Sequence, residues 1–358
     1  MDTEATETPT GIDRASLLKR IAAGGAALSV PALLKAQDAF GGTAAGGGGN
    51  YPAHPKWKFV FVNHVTTNQF FVPTIYGAAD ACSLVNCSYQ WTGSTKSDVG
   101  EMLAAFKSAV AAKAAGIAVA VTDVHAFEAP ITDAISKGIP VVSYNADGAI
   151  SGVKARMAYI GQSLFVSGQN LGQKILELVP KGDIVIFIAT PGTANIQPRV
   201  DGAVDVIKKS GKPINVKVVG TDPAIDKELG LVEAYYLGHK STLKGMFAVD
   251  SGDTQSVGQV IDKHGAAGKV KGAGFDLGPI ILQMVQKGAL QATIDQQPYL
   301  QGFDPVMQLF HYNLSGGLVA PADTNTSLLF VTKDNVNKYL SAKTRYEGSS
   351  DKQKYPVA

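Results

Sequence analysis

The feature that most restricts the fold is a regular alternation that begins at Trp57. Short runs rich in β-branched and aromatic residues, such as WKFVFVN and GIAVAVT, alternate with helical stretches such as VSGQNLGQKILELV. This alternation predicts parallel α/β sheets, and strands that are apolar throughout indicate helices on both faces. About eleven strand candidates follow Trp57, which is too many for one doubly wound sheet of roughly five to eight strands. We therefore predict two smaller sheets.

Composition and charge exclude several classes of function. The chain has 358 residues, of which 45% are hydrophobic and 17% are charged, as is typical of a globular protein. The formal net charge is +2, so no strong electrostatic field points to nucleic acid or to an anionic membrane. No apolar run reaches the ~20 residues that a membrane-spanning helix needs.

The first 50 residues differ from the rest of the chain. The basic segment DRASLLKR precedes a short apolar run, Ile21–Leu34, and small residues follow, which is typical of an export signal. The segment lacks the arginine pair of a twin-arginine signal, so the export route stays open. The glycine-rich part, 41–49, predicts a flexible leader before the folded body. The alternative is a disordered or amphipathic start of a cytoplasmic protein.

The chain has two cysteines, Cys82 and Cys87. No second Cys/His pair accompanies them, so their spacing is not a zinc pattern. Export makes a disulfide permissible, and we expect one that ties the end of a helix to the next strand. Two reduced, half-buried thiols are the alternative.

Polar side chains follow nearly every predicted strand. In open α/β sheets, ligands bind at the carboxyl ends of the strands, so these positions form the candidate site. Planar polar groups make paired hydrogen bonds to vicinal hydroxyls, and aromatic faces stack on the C–H patches of a sugar ring. The loop NHVTTNQFF after the first strand supplies both. The alternative is that these residues cap the following helices, above all Asp147, Ser251 and Asp253.

Several blocks resemble the ribose/galactose type of periplasmic sugar-binding protein, the solute receptor of an ABC importer. TNQFFVPTIYGA is similar to the first-strand loop of that family, in which an asparagine and two aromatic residues meet the sugar. GIPVVSYNADG, IGQSLFVSGQNLG, PGTANIQPRVDGA, MFAVDSGDTQSVG, GAGFDLGP and GALQATIDQQPYLQG match its later blocks in order. The resemblance covers roughly residues 55–340.

The resemblance implies a set of residues that contact a neutral sugar or polyol. They are Asn68, Phe70, Phe71, Asn145, Arg199, Asp250, Asp276 and Gln296, with Gln162 near the first crossing between the lobes. His64, Asp123 and Tyr144 are further candidates, because they stand at or near strand ends. His64 replaces a small polar residue that is typical of the family, and Ala146 replaces a common arginine, so ribose itself is not implied. Neither a cofactor nor a metal is expected.

The resemblance also implies two similar doubly wound lobes joined by a three-segment hinge, the type I periplasmic binding protein fold. The first lobe is expected at 55–161 plus 297–326, the second at 163–295 plus 328–342, and a tail at 343–358. The implied function is capture of the ligand by hinge closure and its delivery to a membrane permease. We expect an exported monomer, periplasmic or otherwise extracytoplasmic, that does not bind nucleic acid.

Three other classes of function stay open at this point. The first loop has no glycine before Gly77, which argues against a dinucleotide-binding enzyme. Asp250 with Asp276 could serve a hydrolase as paired carboxylates. A sugar-responsive repressor shares the fold but carries a helix-turn-helix where this chain has its apolar run. A sensor that feeds a chemotaxis or histidine-kinase receptor is not separable from a transport protein by sequence.

Overall fold

The computed structural model describes residues 51–147, 156–326 and 328–341, nearly all of them in the compact unit that begins at His54. The predicted signal segment, 1–50, and the predicted tail, 343–358, lie outside the described residues. Within the described ranges, none of the helices combines the length and the apolar character that a membrane crossing requires.

The strands form two separate sheets of six strands each. The first sheet contains β1 (Lys58–Asn63), β2 (Ser88–Gly93), β3 (Gly116–Val119), β4 (Val141–Tyr144), β5 (Tyr159–Gly161) and β11 (Thr324–Asn325). The second contains β6 (Gly182–Ile188), β7 (Ile214–Gly220), β8 (Leu243–Ala248), β9 (Lys271–Phe275), β10 (Ala292–Asp295) and β12 (Leu329–Thr332). All neighbouring strands run parallel except β10 and β12, which are antiparallel.

The two sheets share one topology. Their strand orders are β11-β5-β4-β3-β1-β2 and β12-β10-β9-β8-β6-β7, so each reads 2-1-3-4-5 from one edge, with one added strand at the other. This doubly wound order places a topological switch point, and therefore a ligand crevice, at the carboxyl end of the first strand of each half. The predicted pair of small parallel sheets is confirmed.

Helices cover both faces of each sheet. Those around the first sheet are α1 (Val72–Leu84), α2 (Val99–Ala111), α3 (Val124–Ser136) and α9 (Leu300–Leu314). Those around the second are α4 (Leu164–Leu178), α5 (Gln197–Lys209), α6 (Ile225–His239), α7 (Ser251–Lys263), α8 (Pro279–Lys287) and α10 (Val336–Ser341). We call each sheet with its helices the first lobe and the second lobe.

Alternation along β1 shows how the sequence builds these layers. Phe59 and Phe61 pack into one core cluster of the first lobe, whereas Val60 and Val62 pack into the cluster on the opposite face. Because both faces are buried, the strand is apolar throughout rather than alternating with polar residues. Its carboxyl end, Asn63, then leads into the loop that carries the first candidate residues.

The chain passes between the lobes three times, at β5 to α4, at β10 to α9 and at β11 to β12. Close helix packing fixes the two helices that follow the first two crossings. A Cβ on Gly302 of α9 would lie 1.8 Å from the carbonyl oxygen of Thr74 in α1. A Cβ on Gly168 of α4 would lie 2.1 Å from the carbonyl oxygen of Arg199 in α5. Only glycine permits these approaches, so both helices start in fixed positions beside the crossings.

Candidate functional site

The loop after β1 presents amide and aromatic groups together. Asn68 caps a short 3₁₀ helix, Gln69–Phe71, because its Oδ1 accepts a hydrogen bond from the backbone N–H of Phe70 at 2.9 Å. The rings of Phe70 and Phe71 meet edge to face with centroids 4.7 Å apart. The Phe71 ring is buried, whereas Phe70 is partly exposed. This turn holds the two rings at a fixed angle to each other, with Asn68 beside them.

His64 lies directly behind this aromatic pair. Its ring meets Phe71 edge-on with centroids 5.4 Å apart, and the side chain is buried. Burial lowers the pKa of His64 to about 4, so the imidazole is neutral at physiological pH. Its Nδ1 atom is buried and has no hydrogen-bond partner, which leaves a polar atom to be satisfied at the site.

Arg199 projects from α5 toward the same place. Its guanidinium lies over the ring of Phe275, with Cζ 4.2 Å from the ring centroid. Nη1 donates to the carbonyl oxygen of Val249 at 2.9 Å, and Nη2 donates to Oε1 of Gln162 at 3.3 Å. Nε is buried without a partner. The guanidinium is therefore held from two sides, and its Nε–H has no partner.

Asp276 follows β9 in the left-handed region, with a φ of 77°. Its Oδ1 accepts a hydrogen bond from Nε2 of Gln296 at 2.7 Å. Burial raises the pKa of Asp276 to about 6, although Arg199 opposes the rise. Helix α8 begins at Pro279, and no side chain caps it. Asp276 is therefore not a helix cap, and its carboxylate faces the cleft.

Asp250 caps a helix and also lines the site. It caps α7, because its Oδ1 accepts from the backbone N–H of Asp253 at 3.0 Å. Its Oδ2 accepts from the backbone N–H of Ala189 at 3.0 Å, which ties the ends of β6 and β8 together. Burial raises its pKa, whereas these hydrogen bonds oppose the rise. The fixed carboxylate also lines the cavity described below.

Asn145 connects the site to the second crossing. It has a φ of 60°, and its Nδ2 donates to Oε1 of Gln301 at 2.9 Å. Nε2 of Gln301 donates in turn to the carbonyl oxygen of Gln296 at 2.9 Å, and Oγ1 of Thr326 donates to the same oxygen at 2.8 Å. Residues from the site and from two crossings thus share one buried hydrogen-bond network.

These side chains converge on a cavity of about 100 Å³ between the lobes. Nine of the predicted residues line it, namely His64, Asn68, Phe70, Phe71, Asn145, Arg199, Asp250, Asp276 and Gln296. A larger space of about 520 Å³ adjoins it and shares Asn68, Phe70, Asp276 and Gln296. Gln162 does not line either space but orients Arg199. The structure therefore brings most of the predicted set to one place.

Two of the further candidates do not belong to this cavity. Tyr144 is buried in the core of the first lobe, where its hydroxyl accepts a hydrogen bond from Nδ2 of Asn63 at 2.8 Å. Its large ring points into the sheet packing rather than to the strand end. Asp123 caps α3, because its Oδ1 accepts from the backbone N–H of Ala126 at 3.0 Å. It lines a separate groove with Gly192 instead. Neither residue therefore lines the cavity that the other candidates share.

The predicted disulfide is not formed in this structure, in which Cys82 and Cys87 are both free and buried. Cys82 faces the core from the last turn of α1, and burial raises its pKa to about 12. The Sγ atom of Cys87 points to the carbonyl oxygen of Val85 at 3.4 Å. The alternative of two reduced thiols is the one that the structure has.

Sequence reasoning missed Glu228, which lines the cavity from the first turn of α6 and is only 2% exposed. It also missed Asn195 and Ser97, which line the cavity too. Glu228 follows no strand directly, so the inspection of strand ends passed over it. Its signal lies in the run IDKELG, a charged first helical turn in the connection after β7.

Comparison with known proteins agrees with this geometry. A family model described as the periplasmic binding protein domain matches residues 59–316. The chain belongs to this family. The match extends over both sheets and excludes only the terminal segments and the last short strands, so the fold and the family assignment concern the same part of the chain.

Two curated sugar-binding proteins are similar to the chain. It is 48% identical over 315 residues to the xylose/arabinose-binding protein XylF of Sulfolobus acidocaldarius, an alignment that covers 84% of this chain and 77% of the relative. It is 25% identical over 270 residues to the D-allose-binding periplasmic protein of Escherichia coli, covering 72% of this chain and 85% of the relative.

Solved structures show the same two-lobed architecture. An ABC transporter solute-binding protein from Burkholderia graminis in complex with D-arabinose has a TM-score of 0.73 and 26% identity, and the match covers 79% of this chain and 97% of that chain. A carbohydrate transporter protein from Acidothermus cellulolyticus in complex with myo-inositol has a TM-score of 0.72 and 24% identity, covering 83% and 100%. The second likeness supports the fold alone.

Proposed function

We propose that this protein captures a neutral monosaccharide or polyol between its lobes and delivers it to an ABC importer. The observation that carries the proposal is the cavity of about 100 Å³, in which polar planar groups and two phenylalanine rings converge from both lobes. Rings supply stacking surfaces for C–H patches, and fixed acceptors and donors select hydroxyl groups.

The side chains of the proposed site offer hydrogen-bond donors and acceptors to sugar hydroxyls. The carboxylate of Asp276 accepts hydroxyl protons, and the unpaired Nε of Arg199 donates to a hydroxyl or ring oxygen. Asn68 and Gln296 also line the cavity with amide groups. Because several carboxylates and a single arginine line the cavity, an acidic sugar would meet net repulsion, and a neutral one would not.

The relatives narrow the proposed ligand to the size of a pentose. The relative that is 48% identical is named a xylose/arabinose-binding protein, and a solved relative that is 26% identical holds D-arabinose. We therefore infer xylose or arabinose as the first ligands to test.

The three crossings support hinge closure as the mechanism. We propose that the lobes comprise 55–161 plus 297–326 and 163–295 plus 328–342, as the sequence predicts, and that they rotate about the crossings. Gln162 and Gln296 lie at the first two crossings and contact Arg199 and Asp276. The residues proposed to contact the ligand are therefore hinge residues themselves or neighbours of hinge residues, which favours coupling between ligand binding and lobe closure.

We further propose an extracytoplasmic location, with residues 1–50 acting as an export signal and leader. Mature protein isolated from the cell exterior should begin between Ala36 and Asn50, and N-terminal sequencing tests this. Retention of Met1 on cytosolic protein would contradict it. We also propose that the protein is monomeric, binds no nucleic acid and performs no catalysis. Light scattering and sugar analysis after prolonged incubation check the first and last of these.

A melting screen tests the ligand class directly. Xylose, arabinose, D-arabinose, D-allose and myo-inositol are compared with glucuronate as an acidic control, and each hit is titrated by calorimetry. A ligand at 100 times its dissociation constant should add about 2.7 kcal/mol to the free energy of unfolding. The proposal fails if no neutral sugar or polyol raises the melting temperature, or if glucuronate alone does.

A further inference from the structure

Three carboxylates lie together where α6 meets the first turn of α7. One oxygen from each of Glu228, Asp250 and Asp253 lies within 4.8 Å of the others. Glu228 is 2% exposed and Asp253 is fully buried, while Asp250 is partly buried. Three like charges this close in a dry environment repel one another, so the cluster needs a compensating positive charge or bound protons.

The hydrogen bonds of the cluster leave two of its oxygens unpaired. Asp250 accepts from two backbone N–H groups, and Oδ2 of Asp253 accepts from Oγ1 of Thr221 at 2.8 Å. Oε2 of Glu228 and Oδ1 of Asp253, by contrast, are buried and have no hydrogen-bond partner. Buried acceptors are nearly always satisfied. These two oxygens therefore point to a ligand that is bound between the carboxylates.

The fold makes room for the Glu228 carboxylate beside α7. A Cβ on Gly252 would lie 1.8 Å from Oε2 of Glu228, so any other residue would push the carboxylate out of the cluster. Arg199 is the one cation that contributes to the charge balance of Asp250 among the described residues. Its guanidinium bonds to Val249 and Gln162 and makes no hydrogen bond to the unpaired oxygens of Glu228 and Asp253.

We propose that Glu228, Asp250 and Asp253 bind a hard divalent cation of the Ca²⁺ class behind the cavity. Ca²⁺ binds oxygens at about 2.3–2.6 Å, which places two ligands on one ion at most about 5 Å apart, as the cluster requires. Mg²⁺ binds at about 2.0–2.1 Å in near-ideal octahedral geometry, so oxygens up to 4.8 Å apart fit it less well. Zinc favours nitrogen and sulfur ligands, which the cluster lacks.

Access to the site runs through the cleft. Glu228 and Asp250 also line the cavity of about 100 Å³, so a cation enters from there before the lobes close. The ion then holds α6 against the start of α7, directly behind the side chains that face the cavity. Because the two sites share residues, occupancy of one changes the affinity of the other by an equal factor. The cation site itself stands independently of the ligand proposed above.

Metal binding to the full-length protein tests the proposal. Protein is stripped with EGTA and then melted with Ca²⁺ or Mg²⁺, and Tb³⁺ luminescence reports the same site by a second signal. Ca²⁺ at 100 times its dissociation constant should raise the melting temperature by about 5 °C. Mg²⁺ at the same concentration should raise the melting temperature by less. A melting temperature that responds to none of the ions would overturn the site and assign bound protons to the carboxyl groups.

Two variants and a matched control locate the site. Glu228→Gln and Asp253→Asn should weaken Ca²⁺ binding by more than about tenfold, because loss of a group that merely supports a metal ligand costs roughly 10–100-fold. Asp226→Asn is the control, since this carboxylate is exposed on the same helical turn as Glu228. In EGTA, Asp253→Asn should melt no lower than wild type, because asparagine keeps the shape of the side chain without a charge that is costly to bury. Equal Ca²⁺ affinity in all three variants would refute the assignment.

Discussion

Asp276 offers a test in which one substitution moves affinity and stability in opposite directions. Asp276→Asn keeps the shape of the side chain and removes its charge, and asparagine tolerates the left-handed backbone at this position. The amide oxygen still accepts from Gln296, so the contact at 2.7 Å survives. The difference between the two proteins is then the charge on a buried acceptor.

The loss of affinity follows from the strength of the sugar hydrogen bonds. Hydrogen bonds to charged groups contribute about 1.5–3 kcal/mol, whereas neutral ones contribute about 0.5–1.5 kcal/mol. Two hydroxyls that donate to the carboxylate therefore lose about 2 kcal/mol in the variant. At about 1.4 kcal/mol per decade, the dissociation constant for the best sugar of the screen should rise roughly thirtyfold.

The stability change has the opposite sign and depends on pH. The pKa of Asp276 is raised from 3.8 to about 6, so the folded protein holds this proton more tightly than the unfolded chain. At ~1.4 kcal/mol per pKa unit, ionised Asp276 lowers the free energy of unfolding by up to roughly 3 kcal/mol above pH 6. That cost disappears as pH falls from about 6 to about 4, because the buried carboxyl takes up its proton.

Urea unfolding of the ligand-free proteins at pH 4, 6 and 8 measures this difference, and calorimetry at pH 8 measures affinity. Asp276→Asn should be more stable than wild type at pH 8, and the two should converge at pH 4. Asp123→Asn serves as the control, since it retains a helix cap outside the cavity and should change neither quantity. Wild-type affinity in Asp276→Asn, together with a stability difference that ignores pH, would refute both the contact and its electrostatic origin.

The remaining predictions concern the aromatic pair, the helix contact and the thiols. Phe70→Ala should weaken sugar binding by about 0.5–1.5 kcal/mol with little loss of stability. Phe71→Ala should weaken binding too and should also lower the free energy of unfolding in urea by about 3–5 kcal/mol, because its ring is 1% exposed. Equal stability of the two variants would contradict this. Gly302→Ala should lower the free energy of unfolding by at least about 1–3 kcal/mol, because the added Cβ would clash with α1. If the variant unfolded in urea like wild type, α1 and α9 would be able to move apart without a cost in free energy. Cys82 and Cys87 should resist Ellman's reagent at pH 8 until urea unfolds the protein, since both are buried and the pKa of Cys82 is about 12; an intact mass two hydrogens too low would show a disulfide instead.

Strands were predictable here because buried parallel strands leave a strong local pattern. Each predicted strand is present, and the structure adds only the short β11, whose two residues carry too little signal. Two long helices were not predicted, α3 and α6. Pro130 lies inside α3 and reads as a helix breaker, although the fold accommodates it. In α6 the apolar residues are spread around the helix, so no amphipathic stripe marks it.

The candidate site was predictable to the level of strand ends and no further. Asp123, Asp250 and Asp276 all follow a strand, yet the first caps a helix, the second caps a helix and lines the cavity, and the third only lines the cavity. What separates them is where the next helix begins relative to the strand end, which depends on tertiary packing. Glu228 reaches the cavity from a neighbouring connection, and its position depends on the glycine opposite it.

Four residues at the site and crossings, Ser97, Asn145, Asp276 and Gln297, have positive φ angles of 64°, 60°, 77° and 55°. A non-glycine residue in this conformation costs on the order of 1–3 kcal/mol. A laboratory population that is selected only for folding would therefore enrich glycine or other relaxed residues at these positions and lose the side chains that stand at the cavity and the crossings. In a library screened first for expression and then for sugar binding, substitutions at these positions should be enriched by the first screen and depleted by the second. That reversal would trace the binding cleft without any ligand-bound structure.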